Sequence, residues 1–261
     1  VYNSKQPTIY LNGRAVHTGL MSPRGVVSAP IQFGGMAYGY FEGLMDEVRI
    51  YSRALSAAEV KKVALRPQAW APTPADGATY LATWVNLSWK PGDLAVSHNL
   101  YLGDSFEDVN SGAAATFRGN MADAFSTVGF FGFPYPDGLV PGTTYYWRID
   151  EVNQADPNSP WKGDVWSFFI PPRKAYRPDP PDGAEYAAVD VTLSWTPGLN
   201  AKLHYVYFAD NFDTVSNAAG GAPRATATYT PAGPLARGKT YYWRVDEFDA
   251  SATRKGDVWS F

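Results

Sequence analysis

The sequence predicts an all-β chain in which one β-module occurs twice, and three observations support this. Tyr145-Tyr146-Trp147-Arg148-Ile149-Asp150-Glu151 recurs as Tyr241-Tyr242-Trp243-Arg244-Val245-Asp246-Glu247. Each copy is followed by the same closing phrase, Gly163-Asp164-Val165-Trp166-Ser167-Phe168 and Gly256-Asp257-Val258-Trp259-Ser260-Phe261. The 261 residues include 21 Pro, 24 Gly and 15% aromatics, which suit short strands joined by tight turns better than helices.

The repeated heptad reads as a central strand. Aromatic and β-branched side chains fit a pleated, half-buried surface, and strict alternation puts Tyr145, Trp147 and Ile149 on a core face. Tyr146, Arg148 and Asp150 then point to a second face, expected to tolerate water.

Composition excludes several classes of function. The formal charge is −3, with Lys and Arg scattered, so there is no basic field for nucleic acid. No apolar run approaches the roughly 18 to 20 residues of a membrane span. There is no cysteine, hence no disulfide, thiolate metal site or cysteine nucleophile. The chain begins at Val1 and ends at Phe261, within the second closing strand, so a processed protein or a fragment with a truncated last strand is expected.

From the N-terminus, Ile9-Tyr10-Leu11, Asn12-Gly13 and Arg14-Ala15-Val16 read as a hairpin, because Asn-Gly supplies the positive φ angles of a tight turn. After a Pro- and Gly-rich connection come Ile31-Gln32-Phe33 and then Tyr40 to Tyr51, whose alternation predicts a further strand. Ser56-Ala57-Ala58-Glu59 is a capping box, predicting a helix over about residues 57 to 64.

These residues carry a resemblance. Ile9 to Gly13, followed by Phe41-x-Gly43-x-Met45-Asp46-Glu47-Val48-Arg49-Ile50-Tyr51-x-Arg53-Ala54-Leu55-Ser56-x-x-Glu59-Val60, resembles the C-terminal half of a laminin G-like, concanavalin A-like jelly roll. It covers residues 1–66. The resemblance implies that the first half of the sandwich comes from an upstream segment or another chain. It also implies a polysaccharide-binding surface, for which this half offers Tyr38, Tyr40 and Tyr51, and calcium on the rim.

In residues 67–261 the two copies align at an offset of 106 through Leu87-x-Trp89-x-Pro91-Gly92 and Leu193-x-Trp195-x-Pro197-Gly198, with His98 matching His204. The offset falls to 96 at the Tyr-Tyr-Trp-Arg strand and 93 at the closing strand, so copy one is expected to carry ten extra residues near Val128 to Pro136. Each copy resembles a fibronectin type III-like, immunoglobulin-like sandwich. Leu87 and Trp89, Leu193 and Trp195, and the runs Leu139 to Tyr145 and Leu235 to Tyr241 carry that resemblance. It implies that Tyr145 and Tyr241 are tyrosine corners. Trp89, Tyr145, Trp147 and Trp166, with Trp195, Tyr241, Trp243 and Trp259, are the expected core fillers. The modules are expected to span 67–172 and 173–261, joined by the stiff Ile170-Pro171-Pro172-Arg173.

Candidate sites are few. His98 and His204 hold equivalent repeat positions, which points to one structural role used twice. Asp46-Glu47, Asp150-Glu151 and Asp246-Glu247 are adjacent on strands and face opposite ways, so none of the three pairs can flank one scissile bond; bonds to arginine or loop backbone are the expected duty. Asp104-Ser105-Phe106-Glu107-Asp108 and Asp210-Asn211-Phe212-Asp213 offer oxygen ligands for calcium without EF-hand spacing. The inserted Phe130, Phe131, Phe133 and Tyr135 are candidates for stacking on sugar rings or anchoring a protein partner, or for covering the end of their own sandwich. Asn86-Leu87-Ser88 is a sequon within a strand.

No phosphate loop, nucleophile elbow or zinc-protease motif occurs. The expected function is therefore a non-catalytic extracellular or cell-surface structural or adhesion segment, with no cofactor, whose partners are other protein chains, including copies of itself. The module order resembles that of large secreted bacterial surface proteins, and strand complementation through the half jelly roll is the expected mode of assembly. The alternative is a carbohydrate-binding accessory region of a secreted polysaccharide-active enzyme.

Overall fold

The computed structural model describes residues 2–3, 5–21, 23, 43 and 48–261 and divides into two compact units, Val1–Pro67 and Gln68–Phe261. The chain is mostly β-strand with a few short helices.

In the first unit, strands Tyr2–Asn3, Gln6–Leu11 and Arg14–Thr18 form one antiparallel sheet. Asn12 and Gly13 turn the hairpin with φ of 50° and 72°, the left-handed values that Asn and Gly reach most cheaply. Helix α1, Ala57–Ala64, opens on a full capping box between Ser56 and Glu59. Arg53 adds two bonds to the Glu59 carboxylate, at 2.6 and 3.0 Å, which hold that carboxyl down at about 2.

The strand expected over 40–51 is described only at Gly43 and at 48–51. Residues 24–42 and 44–47, including Ile31-Gln32-Phe33, Tyr38, Tyr40, Met45, Asp46 and Glu47, lie outside the described residues. Val48 to Tyr51 carry no strand or helix assignment, and Ile50 is 71% exposed. Alternation makes a strand only when a neighbouring backbone supplies the ladder, and among the described residues none does.

The second unit holds two sandwiches of the same plan. In the first, Trp70–Thr73, Val85–Lys90 and Phe125–Val128 form a three-stranded sheet. It faces a five-stranded sheet ordered Ala78–Thr79, Val165–Phe169, Thr144–Val152, Ser97–Gly103 and Phe117–Met121. In the second, Tyr176–Asp179, Leu193–Thr196 and Thr228–Tyr229 face a sheet built around Leu203–Ala209 and Tyr242–Phe248. Trp147 stands opposite Trp166, and Trp243 opposite Trp259. Trp89, Trp147 and Trp166 lie in the first core, and Trp195, Trp243 and Trp259 in the second. The Tyr145 hydroxyl accepts the Val140 N–H at 2.9 Å and the Tyr241 hydroxyl accepts the Ala236 N–H at 3.0 Å, so each phenol pins the turn before its strand.

Two expectations from alternation and alignment are revised. The second face of the repeated strand is not wet: Arg148 and Asp150, and likewise Arg244 and Asp246, are buried. The short helices α2, Phe106–Ser111, and α3, Phe212–Asn217, close over that face, because Arg148 and Arg244 bond to their last carbonyls. The ten extra residues of copy one are also divided. Met121 stands opposite His98 as Arg224 stands opposite His204, which places three of them before that strand, where Ala114–Thr116 makes a 3-10 turn. The other seven lie between Val128 and Leu139.

The sandwiches meet through the loop after Thr196. The Leu199 N–H donates to the Pro172 carbonyl at 2.7 Å, and its 1% exposed side chain belongs to the first sandwich's core. Gly198 lies flush on the linker, where a Cβ would come within 2.4 Å of the Arg173 carbonyl oxygen. Tyr176 packs edge-on against Phe169 at 6.1 Å between ring centres.

Candidate functional site

Each sandwich buries two charge clusters at equivalent positions. Arg148 Nε and Nη2 donate to the two oxygens of Asp150, both at 2.8 Å, while Nη1 donates to the carbonyls of Val109, at 2.7 Å, and Asn110. Its guanidinium lies 4.4 Å from the centre of the Tyr101 ring. Arg244 repeats this with Asp246 at 2.7 and 3.0 Å, with the carbonyls of Val215 and Ser216 at 2.6 Å and Ala218 at 2.7 Å, and over Tyr207 at 4.5 Å. A cation is favoured where a helix presents its last carbonyls. Asp150 and Asp246 each accept a further loop N–H, from Gly163 at 3.1 Å and Gly256 at 2.9 Å. A Cβ at either glycine would come within 2.1 Å of a backbone oxygen, that of Ile149 or Val245, so the closing phrase must begin with glycine.

The second cluster pairs histidine with glutamate. His98 Nδ1 meets Glu151 Oε2, and His204 Nδ1 meets Glu247 Oε2 at 2.6 Å. The other carboxylate oxygen accepts a turn N–H, Gly92 at 3.0 Å in one copy and Gly198 at 3.4 Å in the other. Burial pushes the Glu247 carboxyl above its ordinary range, against the opposing pull of His204. Trp89 and Trp195 stand edge-on to these imidazoles at 5.3 and 5.4 Å. Asp150 and Glu151 therefore serve different partners on opposite faces, as do Asp246 and Glu247. All eight groups are spent on scaffold bonds.

The acidic loops act as helix caps. Ser105 Oγ accepts the Asp108 N–H at 3.3 Å, and Asn211 Oδ1 accepts the Thr214 N–H at 2.9 Å. Asp210 pairs with Lys239 at 3.0 Å. Among the described residues no group of three or more His, Asp or Glu is placed to hold a metal ion, and no helix is long and apolar enough to cross a membrane.

The aromatic loop divides by residue. Tyr135 packs edge-on against Tyr145 at 5.5 Å, and its hydroxyl accepts from Arg118 at 3.1 Å. Phe130, Phe131 and Phe133 point away and are 57, 86 and 48% exposed. Leu81, Trp84 and Val140 in the flanking loops are exposed as well, where the second sandwich has Ala187, Asp190 and Ala236. Asn86 lies exposed on its strand and accepts a bond from Thr127 at 2.7 Å.

The inter-sandwich role of Leu199 had no signal within its own stretch. The repeat holds the one available clue, because Asp93 occupies the equivalent position in copy one.

A family model described as the concanavalin A-like lectin/glucanases superfamily matches residues 1–61. No curated protein sequence matches the chain. Among solved structures the chain is similar to the FN1-FN3 domains of chicken CNTN1, at 12% identity over 75% of this chain and 68% of that one, with a TM-score of 0.26. It is similar to a two-domain fibronectin type III segment of chicken tenascin, at 12% identity over 74% of this chain and 97% of that one, also with a TM-score of 0.26. A superposition at that score carries no inference about function.

Proposed function

We propose that this chain is a non-catalytic structural segment of an extracellular or cell-surface modular protein, holding the parts on either side of it at a set separation. The observation that carries this reading is the duplication of the buried charges. In each sandwich the same arginine, aspartate, histidine and glutamate bond to helix ends, loop backbone and one another, which is the duty of a scaffold. The seated Leu199 adds a stiff joint, as a spacer needs.

Adhesion and assembly belong to the same reading. The strand Arg14–Thr18 forms an edge of its sheet among the described residues, with Ile9, Leu11 and Val16 exposed beside it. Strand complementation by another chain would cover such an edge. Native mass and electron microscopy test this: ordered polymers support assembly, and a compact monomer at all concentrations removes it. Small-angle scattering tests the spacer reading, which predicts one fixed separation between the two sandwiches and is abandoned if they tumble independently.

A second reading, glycan binding by the first unit, is favoured by the lectin-superfamily match over residues 1–61. Glycan-array binding with and without calcium decides it.

A further inference from the structure

The two sandwiches differ on the outer face of the central sheet, beside α2 and α3. In the first, the Phe117 ring packs on Tyr101 at 5.4 Å, and Lys162 Nζ donates to Asn110 Oδ1 at 2.9 Å. Asn120 Nδ2 donates to Asn99 Oδ1 at 2.9 Å. The first sandwich thus fills this face with its own side chains.

The second sandwich has other residues at each of these places. Counted from the shared register of His98 with Met121 and His204 with Arg224, Gly220 stands where Phe117 does and Pro223 where Asn120 does. Ser216 replaces Asn110, and Tyr205 replaces Asn99. The corresponding place is a cleft of about 540 Å³, lined by 205, 207, 216–220, 253 and 255 over a floor of Arg244 and Asp246. That volume falls in the roughly 300–1,000 Å³ range of ligand sites. The walls on either side are tied into the sheet, through Pro223 with Tyr205 and through Thr253 with Phe248. Tyr205 and Tyr207, which stand opposite Asp246 and Arg244, are half-buried. Lys255, the counterpart of Lys162, is exposed and makes no hydrogen bond or ion pair among the described residues.

We propose that this cleft binds a uronic acid residue of an acidic polysaccharide, its pyranose ring taking the place of the Phe117 ring against Tyr207 and its carboxylate pairing with Lys255. Three features define the fit. Gly220 leaves open the space over Tyr207 that a ring occupies over Tyr101 in the first copy, and the apolar face of a sugar packs on an aromatic ring as a side chain does. Lys255 supplies a free cation for the carboxylate, since Ser216 has replaced the asparagine that holds its counterpart. Ser216, Asn217 and Thr253 line the same cleft and offer the donors and acceptors that ring hydroxyls require. An aromatic side chain from a partner protein would use Tyr207 alone and leave Lys255 and these three groups unbonded. A sugar acid uses them all. The site lies on the second sandwich and is independent of any glycan site in the first unit.

The test titrates the full chain with oligogalacturonate, with its methyl ester and with a neutral cello-oligosaccharide, following amide resonances. Oligogalacturonate should give saturable shifts at 216–220 and 253–255, and the two uncharged sugars should bind about tenfold more weakly. Lys255→Gln should weaken oligogalacturonate by a similar factor and abolish the preference for free acid over ester. Ser216→Asn rebuilds the tie of the first copy and should do the same, with the melting temperature unchanged in both variants. Absence of saturable shifts up to about 10 mM, or a preference for the free acid that survives Lys255→Gln, overturns the proposal. Shifts confined to the first unit and untouched by either variant also overturn it, and locate glycan binding there instead. If a capped Asp-Phe-Asp peptide shifts the same amides more strongly than oligogalacturonate does, the cleft is a protein contact and the sugar assignment is wrong.

Discussion

The Arg148 guanidinium and the Asp150 carboxylate, two residues apart on one strand, meet through two hydrogen bonds of 2.8 Å beneath a helix that caps them both. Arg244 and Asp246 repeat the arrangement. Removing one partner strands the other charge in the interior. Arg244→Met is therefore expected to destabilise the second sandwich by about 3–5 kcal/mol, and Arg244→Met with Asp246→Leu to recover part of that loss. Urea unfolding followed by tryptophan fluorescence measures both, and a double variant no better than the single one contradicts the account.

Leu199→Ala should cost about 2–5 kcal/mol, and the loss should fall on the first sandwich although the residue belongs to the second. Amide exchange around Ile170 and Leu139 reads the location, and small-angle scattering should show a wider spread of inter-sandwich distances.

Gly256→Ala places a Cβ 2.1 Å from the Val245 carbonyl oxygen. The strand must shift, and a cost of about 1–3 kcal/mol is expected. Gly183→Ala tests whether glycine loss alone is responsible. A Cβ there meets nothing within 4 Å, although its φ of 75° still strains the backbone; it should cost less.

Burial raises the Glu247 carboxyl, so the folded protein holds that proton more tightly than the unfolded chain does. This contribution is fully present below the ordinary carboxylate range of about 4.3 and is lost as pH rises through the raised value. Glu247→Gln cannot ionise. The stability of the parent relative to this variant should therefore fall as pH rises, and a series of melting curves from about pH 3 to about pH 8 should show it.

Glu59 has the opposite sign. Its carboxyl is held at about 2, chiefly by Arg53, so its support for α1 is present above the ordinary carboxylate range and is lost as pH falls through about 2. Arg53→Ala should shift the fraying of α1 to higher pH, followed by the amide resonances of 57–64.

The repeated central strand and its tryptophan core were legible because Trp, Tyr and β-branched residues alternate, and because a repeat allows each stretch to be checked against its partner. The Asn12-Gly13 turn and the Ser56 capping box were equally plain, since local backbone chemistry decides them. The burial of Arg148 and Arg244 was not legible. Alternation assigns faces but cannot say that a short helix from elsewhere will cover one. The division of the inserted residues failed for a related reason: an offset between copies counts extra residues without placing them, and only the strand register shows where the chain bulges. Of the aromatic loop, the sequence marked all four rings as candidates, while the fold turns Tyr135 inward on Tyr145 and leaves the three phenylalanines outside.

The seat of Leu199 also orders events in time. At about 5–20 residues per second of synthesis, every strand of the first sandwich is made before Leu199 is. That sandwich must form with one place in its interior unfilled, and a side chain born later completes it. A nascent chain paused shortly after Pro172 then carries a first sandwich less stable than that of the finished chain.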